Sequence, residues 1–139
     1  MKIAISGYFD PIHVGHINLI RDAAKFGDVW VIINNDKQAK KKKGYVFMPQ
    51  DERLTVVGNI RGVKGFMIAI DKDATVCESI KHLNPDVFAN GGDRLADNTP
   101  EMKVCKEQGI MTLFGVGGDK TQSSSELVKK AREYDRLSQ

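Results

Sequence analysis

Val29-Trp30-Val31-Ile32-Ile33 is a run of five apolar residues with no polar break. A strand carries such a run only where both of its faces are covered, as in the parallel sheet of an α/β protein. Four more short apolar runs, Ile3-Ala4-Ile5, Phe66-Met67-Ile68-Ala69-Ile70, Val87-Phe88-Ala89 and Ile110-Met111-Thr112-Leu113-Phe114, recur along the chain. Between them lie segments with apolar residues at helical spacing: 14–26, 49–61, 73–83, 99–109 and a last one from Ser123–Ser125 to about Leu137. Local signals agree. Thr99-Pro100 pairs a cap residue with proline at the first helical position, Gly27 and Gly109 stand where helices stop, and Asp73 is placed to cap a helix. The pattern predicts one α/β domain over 1–139, a doubly wound five-stranded parallel sheet of Rossmann-like type with right-handed crossovers.

A chain of 139 residues is long enough to bury about 68–70% of its unfolded surface without staples. Its two cysteines, Cys77 and Cys105, fall in helical segments without a CxxC or a Cys/His cluster. That excludes a disulfide scaffold and a structural zinc site, and fits a reducing, cytoplasmic setting. No apolar run approaches a membrane span, and the start, Met1 to Pro11, has no signal-peptide core. A net charge of +3 is too mild to mark a nucleic-acid binder. The charge is concentrated, however: Lys37 and Lys40 to Lys43 form a lysine-rich loop after the second strand. Such a cluster is either a solvated face or a contact for an anionic partner.

In doubly wound sheets ligands bind at the carboxyl ends of the strands, near a switch in strand order. The unusual residues of this chain collect there, in the stretches 7–16, 34–43, 91–94 and 117–125. Gly7 lets the backbone turn tightly toward a ligand, and Pro11 directs the chain into a helix. His13 and His16, three residues apart at that helix start, project from one side, where free N–H groups and the dipole favour an anion. Two imidazole donors at such a point suit a phosphate whose charge grows in a transition state. The plainer role for the pair is helix capping.

The run Phe9-Asp10-Pro11-Ile12-His13-Val14-Gly15-His16 resembles the HxGH signature of the nucleotidyltransferase α/β-phosphodiesterase superfamily. The later motifs resemble its cytidylyltransferase-like branch, which includes glycerol-3-phosphate cytidylyltransferases and heptose-1-phosphate adenylyltransferase domains. The resemblance runs from Ile3 to about Val128. It implies that an acceptor phosphate attacks the α-phosphate of a nucleoside triphosphate bound with Mg²⁺, releasing pyrophosphate without a covalent enzyme intermediate. By that resemblance His13 and His16 stabilise the reacting phosphate, and Asp10 lies near the acceptor or the metal. Gly7, Tyr8 and Phe9 belong with the nucleotide. Asn34-Asn35-Asp36 and the Lys40 to Lys43-Gly44 run match the family's Asp and Lys-x-x-Lys-Gly loop, so Asp36, Lys40 and Lys43 are candidates for triphosphate or acceptor phosphate. Two arginines eight residues apart also match: Arg61 is the phosphate candidate, and Arg53 is split between that role and a structural ion pair. The Gly91-Gly92-Asp93 turn is placed for the nucleoside, and Ser123, Ser124 and Ser125 for the β- and γ-phosphates.

One position departs from the cytidylyltransferase pattern: Gly118 stands where an arginine is expected, leaving Lys120 as the compensating cation. ATP and CTP both remain open. The resemblance implies a homodimer without specifying its interface, and a sugar or polyol phosphate as acceptor, with a vitamin phosphate such as a flavin next. The rival classes are a non-catalytic nucleotide-binding regulatory module and a nucleic-acid binder on the lysine run. The first lacks the expected loss of Asp10, His13, His16 or Lys43; the second lacks aromatic-basic interleaving.

Overall fold

The computed structural model describes residues 1–91, 99–118 and 122–138. Among these, β1 (Lys2–Gly7), β2 (Asp28–Ile33), β3 (Val63–Ile68), β4 (Val87–Gly91) and β5 (Met111–Val116) form one parallel sheet in the order β3-β2-β1-β4-β5. The helices are α1 (Val14–Ala23), α2 (Asp36–Lys43), α3 (Gln50–Gly58), α4 (Cys77–Leu83), α5 (Pro100–Gln108) and α6 (Ser124–Ser138). The predicted doubly wound α/β architecture is thus the observed one.

The two-residue period of the strands distributes the apolar runs to both faces. Ile3 and Ile5 of β1, with Val29, Val31 and Ile33 of β2, pack under α1 and α3 against Ile20, Ala23 and Val57. Ala4 and Ile32 face the other way, toward Val76, Ile80, Met102 and Cys105 of the α4–α5 layer. β1 pairs with both β2 and β4. The crossovers therefore leave β1 in opposite directions and open a crevice at its carboxyl end.

Three local expectations are corrected. The lysine-rich segment is a helix, α2, not a loop. Asn35 Oδ1 accepts the Gln38 N–H at 2.9 Å while Gln38 Oε1 accepts the Asn35 N–H at 3.0 Å, a reciprocal cap written in the sequence as Asn-x-x-Gln. Lys40 to Lys43 sit in its last turn, where the dipole favours cations, and Gly44 ends it with φ +84°. Asp73 does not cap α4, which starts later. Its carboxylate instead accepts from Thr75, and Asp71 takes the Glu78 and Ser79 N–H groups. Strand β3 begins earlier than expected, at Val63, and lies at the sheet edge. Thr99, Pro100 and Gly109 start and stop α5 as predicted.

Candidate active site

A cavity of about 860 Å³ opens at the carboxyl ends of β1, β4 and β5, a size ordinary for small-molecule sites. Its floor is Ser6 and Gly7 on one side and Ala89, Asn90 and Gly91 on the other. His13, His16, Lys43 and Ser123 to Ser125 all line it, with Tyr8, Phe9 and Gly91.

The histidines make the capping bonds of the plainer reading. His13 is the N-cap of α1, and its Nδ1 accepts the Gly15 N–H at 3.0 Å. His16 Nδ1 accepts the His13 N–H, also at 3.0 Å. A backbone N–H can only donate, so each neutral ring carries its proton on Nε2. The capping bonds thereby fix the tautomer that presents two Nε2–H donors from rings only 3.9 Å apart. Gly15 is required for this: a Cβ there would stand 2.8 Å from His13 Cε1. Phe9, 1% exposed, backs His16 with its ring 4.6 Å away. Burial, followed by the proximity of His13 and Lys43, lowers the His16 pKa to about 3.

Lys43 enters the cavity from the end of α2. Its Nζ donates to the Asp10 carbonyl at 3.3 Å and lies 5.1 Å from the centre of the Tyr8 ring. Burial lowers its pKa, with Lys42 and Arg53 adding to the effect and Asp10 opposing it. The neighbouring Lys42 also lines the cavity, 4.7 Å over Tyr8. Lys40 is exposed and does not line it, because three helical residues set it about 4.5 Å back along α2.

Ser124 Oγ donates to the Pro11 carbonyl at 2.7 Å, and Ser123 Oγ accepts the Glu126 N–H at 3.3 Å. The α6 N-terminus is thus tied beside the histidines, with Ser123 to Ser125 lining the same space. Gly117, φ +90°, lets the chain after β5 lie on α1: a Cβ there would come within 2.9 Å of Leu19 backbone atoms.

Three candidates lie elsewhere. Asp10 is fully buried, and its carboxylate accepts the N–H groups of Phe47 at 2.8 Å and of Met48. It pins the segment after α2 rather than facing the cavity. Asp36 is spent on Arg53, Oδ1 to Nη2 at 2.7 Å, so the arginine is the structural ion pair. Arg61 follows α3 and immediately precedes the start of β3, at the amino edge of the sheet. The helix runs away from the ligand edge and carries Arg61 to the opposite end. Asp93 and Lys120 lie outside the described residues.

The sequence reading missed Lys42, Tyr45, Ala74, Val76 and Glu101, all of which line the cavity. Glu101 was legible in principle, since it occupies the first turn of the helix that follows β4. Among the described residues no group of three or more His, Cys, Asp or Glu side chains is placed to hold a metal ion. Burial raises both cysteine thiols above their ordinary value, Cys105 to about 11.

The cytidylyltransferase-like family model matches residues 4–138. The chain belongs to that family. This cytidylyltransferase-like protein is a nucleotidyltransferase. It is 25% identical over 142 residues to an FAD synthase of Methanobrevibacter smithii, covering 96% of this chain and 92% of that one. It is 35% identical over 129 residues to the bifunctional protein HldE of Gluconobacter oxydans, covering 89% of this chain but only 26% of HldE. The crystal structure of a lipopolysaccharide core biosynthesis protein from Thermoplasma volcanium shares its fold, with a TM-score of 0.73 at 20% identity over 86% of this chain and 98% of that one. Among the described residues no helix is long and apolar enough to cross a membrane.

Proposed function

We propose that this protein is an FMN adenylyltransferase, joining FMN and ATP to give FAD and pyrophosphate. The carrying observation is the likeness to an FAD synthase along nearly the whole of both chains, repeated with FAD synthases of other organisms. The order of acceptors expected from sequence, sugar or polyol phosphate before flavin, is thereby reversed. A sugar phosphate acceptor is the second reading, carried by the likeness to HldE.

In this reading a phosphate oxygen of FMN attacks the α-phosphorus of ATP. A new P–O bond forms as the bond to the pyrophosphate oxygen breaks, and the electron pair leaves with pyrophosphate. The chain's part is positioning and charge stabilisation. The Nε2–H groups of His13 and His16 donate to the non-bridging oxygens of the α-phosphate as charge builds there. Lys43 contributes a mobile positive charge, and the first turn of α6 at Ser123 to Ser125 holds the β- and γ-phosphates. Mg²⁺ bound together with ATP would supply neutralisation of the triphosphate's charge.

The direct test supplies FMN, ATP and Mg²⁺ and follows FAD by chromatography. FAD and pyrophosphate are expected in equal amounts, with CTP a poor substitute. Pyrophosphate released only with a sugar or polyol phosphate, and no FAD, would select the second reading. Within the lysine cluster, Lys43→Ala is expected to lower kcat/KM by about tenfold or more, the worth of a charge-assisted hydrogen bond. Lys41→Ala, on the exposed side of α2, is expected to change it by less than about twofold. Equal small effects in steady-state assays would return the whole run to solvent.

A further inference from the structure

The floor of the cavity changes character where three neighbouring strands end. Ala4 of β1, Ile32 of β2 and Phe88 of β4 all pack into the α4–α5 layer. Side chains return to one face every two residues, so Ser6, Asn34 and Asn90 come next on that face, and all three line the cavity. β1 lies between β2 and β4 in the sheet, with neighbouring strands about 4.8 Å apart. Three polar side chains thus follow the apolar core in a row across three strands. The histidines stand apart from this row, on α1, which packs against the other face of the sheet.

The two amides are fixed with their oxygens left over. Gln38 Nε2 donates to two carbonyls, of Asp73 at 2.8 Å and of Thr75 at 2.9 Å, which leaves its Oε1 to accept from Asn34 Nδ2 at 3.0 Å. Asn90 Nδ2 donates to the Leu113 carbonyl at 3.4 Å and lies 4.0 Å from Met102 Sδ. These partners only accept, so in both residues the amide nitrogen faces the protein and Oδ1 is the unspent end. Asn34 is 5% and Asn90 6% exposed. Among the described residues, nevertheless, neither Oδ1 nor the Ser6 hydroxyl has a hydrogen-bond partner. No fully enclosed polar side-chain atom of those residues lacks one, so the amide oxygens reach open space, and the space they adjoin is the cavity.

An amide oxygen held this deep without a donor is costly, and a ligand that brings the donor removes the cost. An ionised phosphate, itself only an acceptor, brings none. The edge of a base carries its N–H donors too close together to meet oxygens on three strands. Ser6, between the two amides, can donate as well as accept, which matches a group that does both. A ligand segment with several hydroxyls meets all of these conditions.

We propose that Ser6, Asn34 and Asn90 form a hydroxyl-reading subsite, in which the two amide oxygens accept O–H groups from a ligand segment that carries several. Two parts of the substrates have that chemistry: the ribose of the nucleoside triphosphate and the hydroxylated chain of the acceptor. The subsite needs only the nucleotidyltransferase reaction, and it stands whether the acceptor is FMN or a sugar or polyol phosphate.

The test measures affinities by calorimetry, with Mg²⁺, for pairs of probes that differ only in hydroxyls. These are ATP against 2′,3′-dideoxy-ATP, FMN against a flavin whose chain is phosphopentyl, and glycerol 3-phosphate against propyl phosphate. Wild type is expected to bind the hydroxylated member of at least one pair about tenfold or more tightly, as the loss of two or three neutral hydrogen bonds gives. The pair that shows the preference names the source. Ser6→Ala and Asn90→Leu are each expected to cut that preference about threefold or more and to leave the other member's affinity within about twofold. A general defect of folding weakens both members alike. Ser6→Ala breaks no hydrogen bond among the described residues, so it decides the matter where Asn90→Leu melts early. Equal affinities within every pair overturn the proposal, as does a Ser6→Ala variant that keeps the full wild-type preference. FMN that does not bind at all is a failure of the FMN reading alone, and the ATP and glycerol phosphate pairs then decide this one.

Discussion

Replacing His16 by alanine is expected to lower kcat by about 10²–10³-fold, the usual cost of removing one preorganised donor from a developing oxyanion. The ring's Nδ1 is committed to the His13 N–H, so its Nε2–H is what it offers the cavity. Alanine removes that donor and also one capping acceptor, for which about 1 kcal/mol of stability is the ordinary cost. The two effects separate with His16→Asn, whose side-chain oxygen can replace Nδ1 as acceptor for the cap. That variant is expected to melt close to wild type and to remain slow. Steady-state rates beside thermal melts decide the matter: an alanine variant that turns over normally takes the ring out of the reaction.

The same residue makes a prediction about pH. Burial first, then His13 and Lys43, lower the folded-state pKa of His16 to about 3, against about 6.5 in an unfolded chain. Between those values the unfolded chain binds a proton that the folded chain does not, so stability rises with pH across this window. The contribution is fully present above about pH 6.5 and is lost progressively toward about pH 3. Urea unfolding at about pH 7 and about pH 4.5 should show wild type losing up to about 2–3 kcal/mol more than His16→Asn. Equal losses would mean that His16 is not held neutral by the fold. Turnover, by contrast, should show no acidic limb belonging to His16 near neutral pH, because the active tautomer is already the neutral one.

The parts of the fold that depend on local pattern were legible. Uninterrupted apolar runs specified the buried strands β1, β2 and β4, and Thr99-Pro100 and Gly109 bounded α5 because cap chemistry is local. The HxGH run carried the histidines' placement for the same reason, since a strand end, a cap and a helix start lie within ten residues. What failed depends on longer range. Lys40 and Lys43 look equivalent in a loop but not on a helix, and the Asn35–Gln38 cap that makes the helix went unread. Arg61 was the phosphate candidate because it and Arg53, eight residues apart, match the family's pair of arginines; the direction of α3 puts the two at opposite ends of the sheet. Asp10 is chemically a good ligand for a metal or an acceptor, and only the return of the chain at Phe47 and Met48 shows that its oxygens are used. Glu101 is distant in sequence from everything it faces.

Arg53→Met is expected to destabilise the protein by about 3–5 kcal/mol, as removal of one partner from a buried ionic network does. The guanidinium is 1% exposed and joins four segments around the cavity. Nε donates to the Met48 carbonyl at 2.9 Å, and Nη1 to the carbonyls of Tyr8 at 2.8 Å and Asn34 at 2.6 Å. Nη2 donates to Asp36 Oδ1 at 2.7 Å. Tyr8 lies on the path from β1 to His13, Asn34 follows β2, Asp36 starts α2, and Met48 belongs to the segment that Asp10 also pins. One planar fork therefore sets the spacing between the histidine loop and the lysine helix. Methionine keeps most of the stem's volume and leaves three carbonyls and a carboxylate without their donor. Lysine keeps the charge without the fork, so Arg53→Lys is expected to recover only part of the loss. Asp36 is partly open to solvent, which makes the ion pair the smaller share of the network. Adding Asp36→Asn to Arg53→Met should accordingly leave most of the deficit in urea midpoint. A double variant as stable as wild type would show instead that the unpaired charge, and not the three carbonyls, carried the cost.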